Sequence, residues 1–512
     1  MGGAPDLLPR IACVRLEELA GVAGEVRIVG DGTVEVEELA YDSRRVESGA
    51  LFFCVPGEKV DGHEFAPAAV EAGAAGLVVE RELSDLGVAQ LVVSDARAAM
   101  APMAARFFGD PTKDLKVVGI TGTNGKTTTA FLLQEILEAA GMRCGLLGTV
   151  KQVVGGVEEE VERTTPEAID LQRTFRRMID GGDRACVMEA SSHALALHRC
   201  DAIHFDVALF TNLTQDHLDF HADMEEYFAS KRLLFEMGPK AAIVNVDDHY
   251  GERLTTEFDC LVFSVEDGNA DFAAGDISSD AGGSVFTVTS NHERETRLRT
   301  SIPGPFNVSN ALGAFAAATA LGIEPGDAEA GLAQAAPPPG RFEPINEGQG
   351  FTVLVDYAHT PDSLQNVLRA ARGLTGGRLI VVVGAGGDRD RDKRPKMGRA
   401  AAEGADLAVF TSDNPRSEDP AAIVAEVRAG AEEVESAAGT GAIEAVVDRR
   451  EAIALALSRA EPGDTVVIAG KGHEQGQEFE DGRKIPFDDR EVAREELRRL
   501  LSEGRPSAAR PA

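Results

Sequence analysis

Short, almost wholly apolar runs alternate with longer, helix-like segments through the second and last thirds of the chain. Such runs predict strands that are buried on both faces. The predicted strands are residues 117–120, 185–188, 207–210, 241–244, 353–355, 379–383, 407–410 and 465–469. Residues 128–140 predict a helix, because Phe131, Leu132, Ile136 and Leu137 fall on one stripe. The pattern indicates an α/β protein with mostly parallel sheets covered by helices.

Two breaks interrupt this alternation. A helix-like segment ends in the turn residues 108–112, and a proline run occupies residues 335–340. Neither a helix interior nor a central strand carries such a run. We therefore predict three domains, over residues 1–110, 111–338 and 339–512. The N-terminal one is the smallest of the three.

Composition narrows the functional classes. The chain is 43% hydrophobic and 27% charged, enough for a sizeable core. Its net charge of −34 argues against binding nucleic acid or an anionic membrane. The six cysteines are scattered without a C-x-x-C pair, so we expect buried, reduced thiols. With no targeting segment and no apolar run of membrane-spanning length, we expect a cytoplasmic protein without membrane insertion.

Polar and reactive residues collect where the predicted strands end. Glu189 follows one strand of the second segment, while Asp356, Asp413 and Lys471 follow strands of the third. Open α/β sheets bind ligands at the carboxyl ends of their parallel strands. Because two separate sheets carry such residues, we expect an active site between two domains.

A phosphate-binding loop lies between a predicted strand and a predicted helix. Residues 121–128 read TGTNGKTT; glycines let backbone N–H groups approach phosphate, Lys126 neutralises it, and the Thr127 hydroxyl can reach Mg²⁺. Ile120 stands where the strict motif has glycine, so the loop is a variant. The predicted nucleotide-binding residues of the loop are Gly122, Thr123, Asn124, Gly125, Lys126, Thr127 and Thr128.

Further charged residues follow the strands beside this loop. Glu189 and the pair Asp216-His217 could bring a carboxylate and an imidazole to Mg²⁺ near the γ-phosphate. Lys231, in a helix-like stretch with leucine and phenylalanine, reads on its own as a lysine of the helix surface.

Several motifs then follow in order along the chain. They are DSRRVESGALFF (42–53), MEASSHAL (188–195), NLTQDHLDFH (212–221), GPFNVSNALGAF (304–315), GRFE (340–343), DYAHTPDSL (356–364), GGDRDRDKRPKM (386–397), DNPR (413–416) and GKGHE (470–474). With TGTNGKTT, they make nearly the whole chain resemble the Mur ligase family, most closely the members that add the third residue of the peptidoglycan stem peptide. The resemblance implies an N-terminal domain for the UDP end, a central P-loop ATPase and a C-terminal Rossmann-like domain that receives the amino acid.

The resemblance also assigns roles. It implies that Lys126, Glu189, His217 and Lys231 are catalytic, with Lys231 carbamylated. The implied metal ligands are Thr127, Glu189, His217 and the Lys231 carbamate, and the further ATP contacts are Asn307, Arg341 and Asp356. The implied contacts to the UDP-linked substrate are Ser43, near residues 58–60, and Thr164, Thr165, Ser191 and Arg199. The implied amino-acid pocket comprises Arg389, Asp413, Asn414, Pro415, Arg416, Gly470 and Glu474. Arg163 and Leu197 depart from the family pattern, where Asn and Gln are common.

The reaction implied is ATP-dependent amide formation through an acyl phosphate, with Mg²⁺ and a UDP-N-acetylmuramoyl-L-Ala-D-Glu substrate. The guanidinium of Arg416 suits the distal carboxylate of meso-diaminopimelate, with Arg389 as a second candidate, whereas L-lysine lacks that carboxylate. We expect a monomer. The alternatives are ligation of L-lysine, another Mur ligase or a folylpolyglutamate-type ligase. A transport ATPase or GTPase switch, or a non-catalytic nucleotide-binding module, would explain the phosphate loop but not GKGHE.

Overall fold

Three large sheets, of five, eleven and six strands, organise the computed structural model. The structure describes residues 13–57, 60–280, 282–290, 294–438 and 442–503. The predicted α/β class with mostly parallel sheets is confirmed. Among the described residues, no helix combines the length and apolar character needed to cross a membrane.

The five-stranded sheet belongs to the N-terminal part of the chain. Its strands and the small pair beside it are β1 (Val14–Arg15), β2 (Arg27–Val29), β3 (Glu35–Val36), β4 (Glu38–Ala40), β5 (Ala50–Phe53), β6 (Gly76–Val79) and β7 (Ala89–Val92), and its helices are α1 (Leu16–Ala20), α2 (Ala66–Glu71) and α3 (Ala96–Phe107). The order is β2-β7-β6-β5-β4, with only β2 antiparallel to its neighbour. Asp95 caps the N-terminus of helix α3, because its carboxylate accepts from the N–H groups of Arg97 and Ala98.

The eleven-stranded sheet forms the centre of the molecule. Its strands are β8 (Lys116–Thr121), β9 (Cys144–Leu147), β10 (Gln152–Val154), β11 (Val157–Glu159), β12 (Ala185–Glu189), β13 (Val207–Phe210), β14 (Ala241–Asn245), β15 (Leu261–Ser264), β16 (Phe272–Asp280), β17 (Gly283–Ser290) and β18 (Arg294–Thr300). The order is β11-β10-β9-β12-β8-β13-β14-β15-β16-β17-β18. In this order, neighbouring strands pair in parallel from β9 through β12, β8, β13, β14 and β15 to β16. Strands β8, β12 and β13 therefore end at one edge of the sheet.

Helices cover both faces of the central sheet. They are α4 (Lys126–Ala139), α5 (Ala168–Gly181), α6 (Ser192–Ala196), α7 (Met224–Glu236), α8 (His249–Glu257), α9 (Pro305–Ala320) and α10 (Pro325–Gln334). Helix α4 covers the predicted stripe but begins two residues before the predicted start. Gly331 allows α10 to approach α4 closely, because an added Cβ would lie 2.5 Å from the Ile136 Cα atom.

The six-stranded sheet contains the last four predicted strands. Its strands and the small ribbon beside it are β19 (Glu343–Pro344), β20 (Thr352–Asp356), β21 (Leu379–Ala385), β22 (Leu407–Ser412), β23 (Ala442–Ala445), β24 (Thr465–Ala469), β25 (Gly476–Glu478) and β26 (Lys484–Pro486). The helices are α11 (Pro361–Leu374), α12 (Lys393–Gly404), α13 (Pro420–Ala438), α14 (Arg449–Arg459) and α15 (Asp489–Ser502). The order is β19-β20-β24-β21-β22-β23, parallel except at β19.

The cysteines differ in part from the expectation. The buried free thiols are Cys54, Cys144, Cys186 and Cys200. Burial raises the pKa of the Cys200 thiol to about 12, so it packs as a small apolar group. Cys13 is exposed and Cys260 is partly exposed, so the prediction of burial is wrong for these two. Both lie near the ends of short elements, where an apolar residue need not enter the core.

Candidate active site

A cavity of about 840 Å³ lies between the central and C-terminal sheets. The predicted site residues that line it are Thr123, Asn124, Gly125, Lys126, Thr127, Thr128, Thr164, Thr165, Glu189, Ser191, Arg199, His217, Asn307, Arg341, Asp356 and Arg389. Those outside its lining are Gly122, Lys231, Ser43, Asp413, Asn414, Pro415, Arg416, Gly470 and Glu474. The phosphate loop therefore shares one cavity with side chains from both sheets.

The phosphate loop connects β8 to α4. Gly122 has φ of 146° and Gly125 has φ of 87°, and a Cβ on Gly122 would lie 1.9 Å from the Thr211 Oγ1 atom. Glycine is therefore required at position 122 both by conformation and by space. Lys126 Nζ donates to the carbonyl oxygens of Gly122 and Thr123, each at 2.9 Å. Because the loop opens the N-terminus of α4, it offers backbone N–H groups and a lysine to an anion.

Lys231 lies against the same loop. Lys231 is only 1% exposed, so the interpretation of this residue as a helix-surface lysine is wrong. The Nζ atom donates to the Gly122 carbonyl oxygen at 2.8 Å and lies 4.5 Å from the centre of the Tyr227 ring. Burial and the nearby charge of Lys126 hold the pKa of Lys231 well below its usual range. Burial also lowers the pKa of Lys126.

Two oxygen-bearing side chains meet beside the loop. Thr127 Oγ1 donates to Glu189 Oε1 at 2.9 Å, and the Thr149 N–H donates to the same oxygen at 2.8 Å. Within the described part of the chain, no group of three or more His, Cys, Asp or Glu could hold a metal ion. Mg²⁺ at a polyphosphate commonly uses only one or two protein oxygens. Thr127 and Glu189 therefore fit Mg²⁺ together with phosphate.

Asp216 lies beside basic side chains from both domains. Its Oδ2 atom lies 3.6 Å from Nε2 of His217 and 3.6 Å from Nε2 of His359, and its Oδ1 atom lies 3.8 Å from Lys393 Nζ. Although burial raises the pKa of Asp216, His359, His217 and Lys393 hold it well below its usual range. Burial lowers the pKa of His217 to about 3, so its imidazole is neutral and able to bind a metal. Sequence reasoning missed His359 and Lys393, although DYAHTPDSL and GGDRDRDKRPKM contain them.

Hydrogen bonds hold the C-terminal sheet against the phosphate loop. Asn124 Nδ2 donates to Asp362 Oδ2 at 3.1 Å, so the loop itself touches the start of α11. Gln215 Nε2 donates to Asp390 Oδ2 at 3.0 Å, and Lys396 Nζ donates to Gln215 Oε1 at 2.6 Å. These contacts place the ends of the two sheets around one cavity.

Arg341 brings a guanidinium group to the cavity. Its guanidinium carbon lies 4.2 Å from the centre of the Tyr357 ring, and its Nη1 atom is buried with no hydrogen-bond partner among the described residues. Asp356 accepts the N–H groups of Phe342 and Ala358, each at 2.7 Å, and burial raises the pKa of its carboxyl. An orphaned guanidinium N–H is suited to a phosphate oxygen.

Asn307 lies deeper in the same cavity, on the first turn of α9. It is 1% exposed, and its Nδ2 atom donates to the Pro303 carbonyl oxygen at 2.8 Å. Asn310 Nδ2 donates to Asn307 Oδ1 at 3.2 Å. Asn310 Oδ1 also lies close to the phosphate loop, 2.3 Å from where a Cβ on Gly125 would be. Both amides are thus held in fixed orientations beside the loop.

The residues expected at the UDP-linked substrate are divided between two places. Thr165 Oγ1 donates to the Glu189 carbonyl oxygen at 2.7 Å, and Arg199 Nη1 donates to the Thr165 carbonyl oxygen at 3.1 Å. Thr164 Oγ1 lies 3.1 Å from Thr149 Oγ1, and Ser191 accepts at the start of α6. Sequence reasoning missed Thr149, which no quoted motif contains.

The other part lies in the N-terminal domain. Ser43 opens the short 3-10 helix Ser43–Arg45, and Val60 is 46% exposed. Residues 58–59, expected near the uridine, lie outside the described residues. Of the two positions that depart from the family pattern, Arg163 donates to Glu167 at 2.8 Å, and Leu197 ends α6.

The expected amino-acid pocket lies where β22 and β24 end. Arg416 Nη1 donates to the Gly387 carbonyl oxygen at 2.6 Å, and Asn414 Nδ2 donates to Glu474 Oε2 at 2.9 Å. A Cβ on Gly386 would lie 3.2 Å from Arg416 Nη1 and 3.8 Å from Arg389 Cγ, so both arginines approach one glycine. Arg389 also lines the large cavity and thereby connects it with the pocket.

Two further residues complete this pocket, and a buried lysine lies beside them. Gly470 has φ of 121°, and a Cβ on it would lie 2.7 Å from Asp413 Oδ2, so glycine allows the close approach. Although burial raises the pKa of Asp413, the charges of Lys471 and Arg449 lower it below its usual value. Lys471 is buried beside these residues; the GKGHE motif contains it, but sequence reasoning gave it no role.

Family models match three parts of the chain. Residues 35–108 match the Mur ligase family, catalytic domain; residues 120–318 match the Mur ligase middle domain; and residues 340–472 match the Mur ligase, glutamate ligase domain. The phosphate loop and the cavity-lining residues of the central sheet fall within the second match, and the amino-acid pocket falls largely within the third.

Individual relatives match nearly end to end. A UDP-N-acetylmuramoyl-L-alanyl-D-glutamate--2,6-diaminopimelate ligase of Geobacillus thermodenitrificans is 46% identical over 473 residues, 90% of this chain and 95% of the relative. One of the same name from Streptomyces coelicolor is 45% identical over 500 residues, 96% of this chain and 97% of the relative. A solved structure also bearing that name is 30% identical, with a TM-score of 0.68, and covers 96% of this chain and 100% of its own.

Proposed function

This chain belongs to the Mur ligase family, and we propose which of its residues carry out the reaction. The family resemblance and the three-domain architecture expected from the sequence are confirmed. The chain is an ATP-dependent ligase that adds diaminopimelate to UDP-N-acetylmuramoyl-L-alanyl-D-glutamate in peptidoglycan synthesis. The observation that carries our assignment is the single cavity shared by the phosphate loop, Glu189, Arg341 and Arg389.

The first step forms an acyl phosphate. The D-glutamyl γ-carboxylate attacks the γ-phosphorus of ATP, the bond to the β,γ-bridging oxygen breaks, and ADP leaves. Several negative oxygens crowd this transition state, so Lys126 and the guanidinium of Arg341 supply opposing charge. Asn307 and Asp356 lie at the same cavity and complete the ATP site. Thr164, Thr165, Ser191 and Arg199 hold the carboxylate end of the substrate, and Ser43 holds its UDP end.

Mg²⁺ fits the oxygen donors beside the loop. Thr127 and Glu189 would hold one ion, and His217 with a carbamylated Lys231 would hold a second; the ions neutralise phosphate charge when bound. Only an uncharged amine reacts with CO₂ to form a carbamate. The lowered pKa of Lys231, caused by burial and by Lys126, supports that modification.

The second step joins the acceptor. Its amine attacks the acyl carbon, a tetrahedral intermediate forms, and inorganic phosphate leaves as the amine proton is lost. Arg416 and Arg389 suit the distal carboxylate of meso-diaminopimelate, while the carboxylates of Asp413 and Glu474 suit its ammonium group. Gly470, Asn414 and Pro415 shape the same pocket. Docking of the C-terminal sheet keeps water away from the acyl phosphate.

We also propose the domain limits, the oligomeric state and the localisation of the protein. We place the domain limits at residues 110/111 and 338/339; the second coincides with the proline run between α10 and β19. We propose a cytoplasmic monomer, since both sides of the cavity come from one chain and the cysteines are free thiols.

ADP release tests the choice of acceptor. The full chain receives ATP, Mg²⁺ and the UDP-linked dipeptide with either meso-diaminopimelate or L-lysine. We expect kcat/KM to be at least roughly 100-fold higher with diaminopimelate, because lysine lacks the distal carboxylate that the guanidinium groups of Arg416 and Arg389 would bind. Equal use of the two amino acids would overturn the pocket assignment. ADP release without the UDP-linked substrate would favour the ATPase alternative.

A further inference from the structure

Lys471 is a buried cation that the proposed reaction leaves without a role. Its side chain is 0% exposed and lies in the loop between β24 and β25. The Nζ atom donates to Asn414 Oδ1 and to Glu474 Oε2, each at 2.9 Å, and lies 3.8 Å from Asp413 Oδ1. One lysine thus contacts three residues of the amino-acid pocket. Burying an ammonium group is costly unless it is paired, so Lys471 needs these contacts to remain buried as a cation.

The contacts of Lys471 determine which way its neighbours point. Asn414 Oδ1 accepts from Lys471 and also from the Glu478 N–H at 2.9 Å, which leaves Asn414 Nδ2 facing Glu474. Glu474 Oε2 accepts from both Lys471 and Asn414. Within the described part of the chain, Glu474 Oε1 has no hydrogen-bond partner. The network therefore engages one carboxylate oxygen of Glu474 and leaves the other for a ligand.

We propose that Lys471 is a positioning residue for the amino-acid acceptor, holding Glu474 and Asn414 in the orientation that receives it. The proposal rests on the proposed function, because it assigns the acceptor to this pocket. Without the ammonium group, the Asp413 and Glu474 carboxylates would lose the cation that contacts both, and the Asn414 amide oxygen would lose one of its two hydrogen bonds. Residues that orient a binding group through hydrogen bonds commonly affect function strongly without touching the ligand.

The first test replaces the cation in the full chain. Lys471→Met is expected to raise the KM for meso-diaminopimelate about 10- to 100-fold while the KM values for ATP and the UDP-linked dipeptide stay within about twofold. Lys484→Met, a change at an exposed lysine of β26, is the matched control and should resemble the wild type. An unchanged KM for diaminopimelate, or an equal rise in all three KM values, overturns the proposal.

A double-mutant cycle separates positioning from general structural damage. If Lys471 acts through Glu474, Lys471→Met should raise the KM for diaminopimelate much less in a Glu474→Gln background than in the wild type. Fully independent effects overturn the proposal. Should Lys471→Met fail to fold, Lys471→Arg keeps the charge but not both 2.9 Å bonds. Its KM should then rise for diaminopimelate alone, and a rise for all substrates, or for none, is the contrary result.

The wild type distinguishes failure of this inference from failure of the proposed function. If wild-type ADP release does not depend on diaminopimelate, the proposed acceptor is wrong. If it does, and the Lys471 variants leave the KM for diaminopimelate unaltered, the acceptor stands and the positioning role of Lys471 is wrong.

Discussion

The phosphate loop and the amino-acid pocket deal with buried charge in opposite ways. At the loop, Lys126 and Lys231 both donate to the Gly122 carbonyl oxygen, and neither forms an ion pair with a carboxylate among the described residues. At the pocket, Lys471 is paired with Glu474 at 2.9 Å, and Arg416 Nε lies 3.3 Å from Glu478. Among the described residues the loop lysines form no ion pair, whereas Lys471 and Arg416 are each paired with a carboxylate.

This difference suits the two ligands. A polyphosphate brings several negative charges, and Lys126, whose ammonium group is bonded only to neutral carbonyl oxygens, opposes them when it binds. Diaminopimelate carries ammonium and carboxylate groups together, so its recognition depends on where each charge of the pocket points. Removal of a loop cation should therefore reduce the rate, while removal of a pocket cation should weaken acceptor binding.

The largest expected effect is at the loop. Lys126→Ala removes the cation that opposes charge on the transferred phosphate, so we expect kcat for ADP release to fall about 10³-fold. Lys113→Ala, at a lysine whose side chain is 58% exposed, is the control and should keep the wild-type rate. Single-turnover ADP formation separates the first step from the second. Near-normal ADP formation by the Lys126 variant would contradict a role for its charge in phosphate transfer.

The pocket should respond through KM. Arg416→Ala removes a guanidinium beside Gly387, so we expect the KM for meso-diaminopimelate to rise about 10- to 100-fold and discrimination against L-lysine to weaken. Arg416→Lys keeps the charge without the fork and should recover only part of the loss. Steady-state kinetics with both amino acids measure these effects. A fall in kcat with an unaltered KM would show that Arg416 acts on the rate, as the loop residues do, and not on acceptor binding.

The same two regions differ in how far the sequence predicts them. The loop is local: strand, glycines, lysine and helix lie within residues 117–140, so its structure follows from short-range pattern. The strand ends of the C-terminal sheet were also predictable, because continuous apolar runs identify β20, β21, β22 and β24. The pocket residues needed the family resemblance, since side chains on separate strand ends are brought together only by the order of the sheet.

The hydrophobic pattern of the sequence predicts neither the burial of single polar residues nor the contacts between domains. Lys231 looks like a surface lysine in a helix, and only tertiary packing places its ammonium group under Gly122. The contact between Asn124 and Asp362 joins positions 238 residues apart, and no periodicity predicts which loop meets which helix. The antiparallel ribbon from β16 to β18 was missed because its strands carry few continuous apolar residues.

Acid should destabilise the C-terminal side of the cavity through His473. Burial and the nearby charges of Arg341 and Arg490 lower the pKa of His473 to about 3, from an ordinary value of 6.5. As pH falls below about 6.5, the unfolded chain takes up this proton and the folded chain does not, so stability decreases towards pH 3. One such group contributes at most about 1.4 kcal/mol per pH unit.

The variant His473→Gln should make the unfolding free energy fall less steeply between pH 6.5 and 5. The change in slope corresponds to at most one proton taken up on unfolding. Denaturant unfolding at several pH values measures the slope, and His249→Gln, at a histidine whose side chain is 75% exposed, is the control. Equal slopes for wild type and His473→Gln would show that His473 is not the group responsible.

The smallest expected effect concerns the link between the two regions. Gln215 bonds Asp390 at 3.0 Å and Lys396 at 2.6 Å, so it joins the central domain to the C-terminal domain without belonging to either ligand site. Because partly exposed hydrogen bonds are individually weak, Gln215→Ala should lower kcat only about two- to fivefold and leave the KM values for ATP and diaminopimelate nearly unchanged. Gln152→Ala, which removes a 3.3 Å bond to Glu159 within the central sheet, is the matched control. If both variants lower kcat equally, the loss comes from general destabilisation; if only Gln215→Ala does, the charged loop and the compensated pocket act together through their docking.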